Sequence, residues 1–438
     1  MLHCQRSDGA LRIRVAAREM TNESTLPIPN LPTAAARTDS MSRRRVEATR
    51  RESTRHVVAD ELAVAAPPAA EAAPAYQIAI PGFLSESRVQ VRPRLVPRRP
   101  LRPRDPGEAD VVVLYNVALG LERGRPEDIV SDAETEEVAC RIGDTLREHV
   151  RSIELAPVWD DLGDVLRRYD PTRHVVFNLC ESLGGRAWSE AEVPRLMRAA
   201  GFLHTGASFM ALRRAGSKLI TKRSLEAAGL DTPAYEVIRH AGRRPTHVSL
   251  PAIVKPVAEH GSCGITLASV VDDRKALGER IDACIRDYRQ PALVEEFIIG
   301  RELNVALWGN GFPEVLPIAE IAFCWTQDPL QQIVTFSGKW HKGSIEARGT
   351  PGVCPAELGT EVQDRVEAAA VLAYQELGVR GFARVDMRLR DDLPYVLEVN
   401  IHPDLAPDAG FFRSARAAGH SYASMLLYIL RLAFAPGS

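Results

Sequence analysis

Residues 381–403 read GFARVDMRLRDDLPYVLEVNIHP, two β-rich runs in which Arg384 and Asp386, and then Glu398 and Asn400, interrupt apolar residues at alternating positions. Successive side chains of a strand point to opposite faces. Arg384 and Asp386 therefore share one face while Val385 and Met387 share the other, and Glu398 pairs with Asn400 in the same way. A three-residue loop at Asp391 to Leu393 sets Asp386 directly opposite Glu398. Two carboxylates and an amide then converge on one small volume, and a hard divalent cation relieves their repulsion. Oxygen-only ligands completed by phosphate oxygens suit Mg²⁺ better than zinc. The segment points to a magnesium-nucleotide site, and the competing reading is a solvated hairpin with ordinary surface charges.

Lysine usage narrows the choice. Of 55 lysines and arginines only six are lysine: Lys218, Lys222, Lys255, Lys275, Lys339 and Lys342. A lysine kept against an arginine bias suggests a need for a compact point charge, and phosphate binding is the commonest such need. Lys255 ends the apolar run PAIVKP and is followed by VAEHGSCGI, a strand delivering an ammonium beside a loop of small residues. Gly261, Ser262 and Gly264 let backbone N–H groups approach anionic oxygens, and the Ser262 hydroxyl adds a donor. Lys218 and Lys222 lie four apart in the predicted helix SKLITKRSLEAAG and by themselves read as a solvated pair. In PALVEEFIIGRELNVALWGNG, Glu295, Phe297, Ile298 and Glu302 form an apolar strip flanked by carboxylates. Such a strip suits an adenine ring and ribose hydroxyls; taken alone, the glutamates also read as surface charge.

With 438 residues, 45% hydrophobic and 26% charged, the chain can bury several cores. A net charge of -2 gives no global pull toward nucleic acid or membrane, and no apolar stretch approaches the roughly 18 residues of a spanning helix. Seven scattered cysteines form no CxxC or Cys/His cluster, which predicts free thiols and a cytoplasmic setting. The first seventy-five or so residues are rich in Arg, Ala, Ser, Thr and Pro, and disorder is expected there. A nucleic-acid arm or a transit peptide fits poorly with their interspersed Glu and Asp, and an overextended gene start fits as well. From about Glu108 strands and helices alternate: ADVVVLYN at 109–116, a helical stripe at 134–150, HVVFNLCE at 174–181 and a short helix at 193–200. That order predicts a doubly wound parallel α/β unit. Asn178, Glu181 and Ser182 at its strand ends are substrate-side candidates, with capping or turn roles as the alternative.

From about Val111 to Leu430 the chain carries, in order, VVFNL, HTGAS, SKLITKRSLEAAGLDTPAY, IVKP, VEEFIIGREL, KW, CPAEL, RVD and LEVN. This series resembles the D-alanine–D-alanine ligase family of the ATP-grasp superfamily. The resemblance implies an ATP-grasp fold, α/β and α+β, preceded by a Rossmann-like N-terminal α/β domain. Its boundaries are a disordered extension at 1–107, the Rossmann-like domain at 108–212, a central ATP-grasp subdomain at 213–296 and a C-terminal subdomain with the metal site at 297–438. It implies ATP and two Mg²⁺ ions, with Mn²⁺ as an alternative. Lys218 and Lys255 would contact phosphates, Glu295 the adenine amino group and Glu302 the ribose. Phe297 and Ile298 would form the connector whose backbone pairs with adenine, and Lys339 with Trp340 a loop that closes over the nucleotide. Asp386, Glu398 and Asn400 would ligate the metals. Arg384, with Ser262 and Lys255, would stabilise transferring phosphate and an acyl-phosphate intermediate, the loops at 259–264 and 325–345 shutting out water. Small amino acids or peptides would be the substrates, with no nucleic acid or membrane partner, and a homodimer follows by analogy.

Departures from the family concentrate on the acceptor side. After Asn400 the loop reads IHPDLAPDAGFF, with Asp404 at the family's glycine position and Ala409 where its carboxylate-gripping serine stands; Gly261 replaces the serine that opens the phosphate loop. The GG and ERE segment that receives the first D-alanine is not evident in VALGLERGRPED. These changes favour an acceptor other than D-alanine. Two functions remain open on sequence: a working carboxylate-amine ligase, and a non-catalytic ATP-binding regulatory protein.

Overall fold

The computed structural model describes residues 3–7, 10–14, 105–117, 130–186, 189–259 and 261–435. Most of the proposed extension, and the 118–128 segment read above as lacking the first-substrate motif, lie outside the described residues. Chain contacts separate two units, Met1–Gln90 and Val91–Ser438. In the first, β1 (His3–Ser7) pairs antiparallel with β2 (Ala10–Arg14). The second unit holds every other element.

β3 (Asp110–Asn116) is buried along its whole length, as expected of a parallel strand covered on both faces. Through α1 (Val130–Leu146) the chain reaches β4 (Ser152–Val158), through α2 (Leu162–Leu166) β5 (His174–Leu179), and through α3 (Glu192–Ala199) β6 (Leu203–His204). All pairings are parallel, in the order β4-β3-β5-β6. Val111 and Val113 pack with α1 residues Ile142 and Leu146, while Val112 and Leu114 pack with α2 and α3. The predicted stripe of Ile142 and Leu146 is thus a real face of α1. Val138 and Val150, which complete the expected stripe, pack against the same core, Val150 from beyond the helix, which ends at Leu146 before the chain turns and Arg151 N–H donates to Ala109 O.

Ser208 and Ser217 cap α4 (Phe209–Ala215) and α5 (Lys218–Ala227), their hydroxyls accepting from Ala211 N and Ile220 N. α5 stops before Gly229, whose φ of 77° is left-handed. Beyond it β7 (Tyr235–Ile238), β8 (Ala252–Pro256), β9 (Val270–Val271), α6 (Arg274–Tyr288) and β10 (Ala292–Glu296) build an antiparallel sheet ordered β7-β10-β8-β9. α6 covers one face, seating Leu277, Ile281 and Cys284 on Ala252, Val254, Ala292 and Val294. Strand alternation therefore turns Ile253, Lys255 and Glu295 to the other face.

The last sheet collects β11 (Arg301–Asn310), β12 (Glu314–Val315), β13 (Ala319–Ile321), β14 (Gly352–Val353), β15 (Arg380–Arg390) and β16 (Leu393–Asn400). Its order is β14-β13-β11-β15-β16, with β12 on β11. Between β13 and β14 lie α7 (Phe336–Trp340) and α8 (Ile345–Arg348); α9 (Thr360–Glu376) follows β14. α9 buries one face of the sheet through Val366, Ala370, Ala373 and Tyr374 against Leu303, Val305, Val385 and Met387. The register Glu302↔Arg388, Asn304↔Asp386 and Ala306↔Arg384 lines the opposite face with polar groups. α10 (Gly410–Ala417) and α11 (Tyr422–Leu432) then return the chain to the first sheet, where Met425, Leu426, Ile429 and Leu430 share a core with Val111, Val113 and Ile142.

The β15–β16 connection differs from expectation. It is a two-residue turn, Asp391–Asp392, with both φ values left-handed (52° and 62°), a conformation that aspartate tolerates better than most residues. A bulge between Asp386 and Met387 then skips Leu397, since Met387 pairs with Val396 and Asp386 with Glu398. Shorter turn and extra bulge residue cancel. The carboxylates end up opposite one another, as a three-residue loop without a bulge would also have placed them.

Candidate active site

Arg384, Asp386, Glu398 and Asn400 meet on one face of the β15–β16 hairpin. Arg384 grips Asp386 bidentately at 2.7 Å through each of two nitrogens, and Asn400 Nδ2 donates to Asp386 (2.8 Å) and to Glu398 (3.1 Å). Asn304, which sequence reasoning missed, adds a fourth donor at 2.7 Å from the neighbouring strand. Burial raises the Asp386 carboxyl above the usual carboxylate range; Arg384 opposes this and Glu398 adds to it. Clustered carboxylates whose charge is resisted by burial and by each other fit a hard cation, and the oxygen donors of Asp386, Glu398 and Asn400 are those Mg²⁺ takes. Here the Arg384 guanidinium supplies the positive charge.

The lysines face the same cleft. Burial by itself depresses the Lys255 ammonium, but Glu295, Glu398 and Glu302 outweigh it and hold its pKa above the ordinary lysine value. Lys218 stays depressed by burial, only partly offset by Glu398 and Glu295, and its Nζ donates to Glu259 O. Lys222 is not the solvated residue that its spacing suggested. It is 1% exposed, because α5 lies against β16 and α9 and its Nζ is enclosed between Thr232 Oγ1, to which it donates, and Glu295, each 2.6 Å away. Lys255 Nζ lies 2.6 Å from the other Glu295 oxygen. Burial would raise the Glu295 carboxyl, yet the two ammoniums bring it down to about 2. Glu295 thus pairs with two lysines in this structure, in addition to the adenine contact that the family resemblance implies.

Beside Lys255, consecutive left-handed residues Gly261 and Ser262 shape the phosphate-type loop. Trp340 Nε1 donates to Gly261 O at 2.8 Å, and Phe336 N donates to Ile265 O at 2.9 Å. Lys339 Nζ sits 4.7 Å from the Trp340 ring centroid and 4.0 Å from where a Gly261 Cβ would be. The two loops expected to close over a nucleotide are therefore in contact. Ile333 joins them by packing with Ile253, Val270 and Phe297.

The connector is more occupied than the sequence suggested. Phe297 N donates to Pro251 O, and Ile298 O accepts from Arg388 at 3.0 Å. Arg388, another residue missed, also holds Glu302. Its alternation with Arg384 and Asp386 was visible in the sequence; its partners, on distant segments, were not. Asn178 and Glu181 are tied into the first sheet: Asn178 Oδ1 accepts from Cys180 N, and Glu181 N donates to Asn116 Oδ1. For Asn178 this is the local turn role weighed as the alternative.

In the loop after β16, the N-cap of α10, Ala409, offers no side-chain cap, so the first N–H groups of the helix are not paired within it. The Nη1 atoms of Arg384 and Arg413 each come to 3.8 Å from where a Gly410 Cβ would be. Among the described residues Arg413 makes no ion pair; it donates to Asp408 O at 3.3 Å. His402 anchors the loop, its Nδ1 2.7 Å from Glu190, and its ring crosses Gly206 where a Cβ would come to 2.8 Å.

The model of the D-ala D-ala ligase C-terminus family matches residues 225–431. A D-alanine–D-alanine ligase of Desulforudis audaxviator is 33% identical over 261 residues, spanning 58% of this chain and 79% of that one. The chain belongs to the D-alanine–D-alanine ligase family. It is an ATP-grasp ligase, an ATP-dependent enzyme forming a carbon–nitrogen bond, and the reading as a non-catalytic regulator is not favoured. An uncharacterized protein of Sinorhizobium fredii is also 33% identical, over 60% of this ligase and 75% of its own length. The fold of this ligase is similar to that of the D-alanine–D-alanine ligase from Bacillus anthracis solved with ATP. That likeness has a TM-score of 0.57 at 20% identity and covers 74% of this chain and 97% of the other. Among the described residues no helix is long and apolar enough to cross a membrane.

Proposed function

We propose that this ligase activates a small carboxylate with ATP and joins it to the amine of an amino acid or short peptide, and that the residues assembled above are its machinery. The observation that carries the reading is the convergence of Asp386, Glu398, Asn400 and Arg384 on the face toward which Lys218 and Lys255 point. Asp386, Glu398 and Asn400 would hold Mg²⁺, which when bound neutralises phosphate charge and leaves Arg384 to face the reacting carboxylate. Lys255, kept charged by Glu295, and Lys218 bind phosphate oxygens, with the left-handed Gly261–Ser262 backbone and the Ser262 hydroxyl as further donors. Glu295 acts here as the holder of Lys222 and Lys255. Phe297, Ile298 and Glu302 form the base and ribose side, and Lys339 with Trp340 closes over the phosphates and excludes water.

The relatives are named for D-alanine. The uncapped start of α10 and the Arg413 guanidinium, whose hydrogen bond is to a backbone carbonyl and not to a carboxylate, favour an acceptor that carries its own carboxylate, without selecting D-alanine. By the same analogy the enzyme works in the cytoplasm as a homodimer, which light scattering of the pure protein reads directly. The deciding experiment measures ADP release with Mg²⁺ across D- and L-amino acids and dipeptides, with mass measurement of any product. One acceptor class should stimulate release and yield an amide, and Asp386→Asn should abolish both. If every pool leaves release at background, the reading falls.

A further inference from the structure

Arg388 is a cation buried to 2% exposure at the centre of the base side, yet the chemistry above gives it no task. It lies directly across from Glu302 in the β11–β15 register, and its Nε and Nη2 donate to the same carboxylate oxygen, Oε2, at 3.1 and 2.8 Å. That leaves Oε1 outside this bond and oriented by it. Nη1 donates to Ile298 O in the connector at 3.0 Å, and Nη2 also donates to Gln332 O, in the loop that ends at Lys339 and Trp340. The guanidinium stacks 4.6 Å from the Phe297 ring centroid, with Phe323 at 5.8 Å. One planar group with its donors in a fixed fork thus ties β15 to the 298–302 stretch and to Gln332, thirty residues further on. Of the other polar anchors of that loop, Phe336 N to Ile265 O and Trp340 Nε1 to Gly261 O reach the phosphate loop, and Lys342 Nζ lies 3.8 Å from Asp408, so none of these three reaches the base side.

We propose that Arg388 is a positioning residue that couples the nucleotide-binding cleft to closure of the 325–345 loop, by holding the Glu302 carboxylate, the Ile298 carbonyl and the Gln332 carbonyl in one arrangement. The proposal rests on the reading of this cleft as the ATP site. A buried arginine serving only stability would be replaceable by an apolar residue of similar length without loosening the loop selectively. If Arg388 is the tie, its loss frees Gln332, lets Glu302 swing and lets water reach the activated carboxylate. ATP is then consumed without amide being formed.

The test compares wild type, Arg388→Met and Arg388→Lys in the full chain. Backbone amide exchange across 325–340 is measured without nucleotide, together with ATP affinity by calorimetry, KM and kcat, and the ratio of ADP released to amide made. Arg388→Met should raise exchange in that loop and KM for ATP, each roughly tenfold or more, the scale of one charge-assisted hydrogen bond. The effect on kcat should be smaller, and ADP should exceed amide. Arg388→Lys keeps the charge on Glu302 but cannot span both carbonyls, so it should recover part of the KM and little of the loop protection. If Arg388→Met does not fold, the lysine variant decides alone. Unchanged loop exchange with ADP and amide still equal overturns the proposal. Failure of the wild type to bind ATP overturns the reading of the site instead, while the exchange result without nucleotide still tests the tie to Gln332.

Discussion

The nucleotide face and the acceptor loop are built on opposite plans. On the face formed by β8, β10, β11, β15 and β16 the charges are balanced inside the protein: Lys222 and Lys255 on Glu295, Arg388 on Glu302, Arg384 on Asp386. All but Lys222, which sits on α5, stand on paired strands. The acceptor side is loop and helix end, held by His402 to Glu190 and by Tyr422 OH to Leu405 O, with a bare helix start and an arginine lacking an acidic partner. The difference teaches where each task is stored. Under the proposed function, charge handling common to carboxylate activation is set in sheets, while recognition of a particular acceptor falls to a segment that can change without disturbing them.

The strongest attempt to break this contrast is Glu295→Gln. It leaves two buried ammoniums facing a neutral amide, and breaking such a network costs about 3–5 kcal/mol. Urea unfolding should show a loss of that order along with a raised KM for ATP; a loss below about 1 kcal/mol would mean the face is not internally balanced. Next is the pH response beside the acceptor anchor. Burial, with the Arg380 guanidinium adjacent, pushes His204 down to about 4. Its folded pKa lies below the unfolded value, so unfolding takes up a proton. Stability is therefore full above about pH 6.5 and declines as pH falls toward 4, by about 3 kcal/mol over the window. His204→Asn should flatten that slope in melts from pH 4 to 7, and an unchanged slope refutes the assignment. The smallest effect sharpens the contrast from the other side: Arg413→Gln should raise KM for the acceptor about tenfold with KM for ATP unmoved. Equal changes in both would place Arg413 on the nucleotide face.

The hairpin chemistry was legible because strand alternation fixes which side chains share a face, and the Asp386–Glu398 pairing survived a wrong loop length through the compensating bulge. The doubly wound unit was legible from its buried β3. What periodicity cannot state is the partner. Lys222 looked solvated because a spacing of four describes a helix face and not what presses on it. Asn304 and Arg388 were invisible as site residues since their roles come from β11 and from the 325–345 loop, far away in sequence. Glu295 was given to adenine by resemblance, and its pairing with Lys222 and Lys255 was not legible from spacing.

The core shared by β3, α1 and α11 has a consequence for synthesis. Val111, Val113 and Ile142 emerge from the ribosome about three hundred residues before Met425, Leu426 and Ile429, which complete their packing. Until then the first sheet presents an apolar flank to the cell. A message truncated after α10 would encode every residue of the hairpin and the lysine cluster, yet its product would be a substrate for chaperones and proteases.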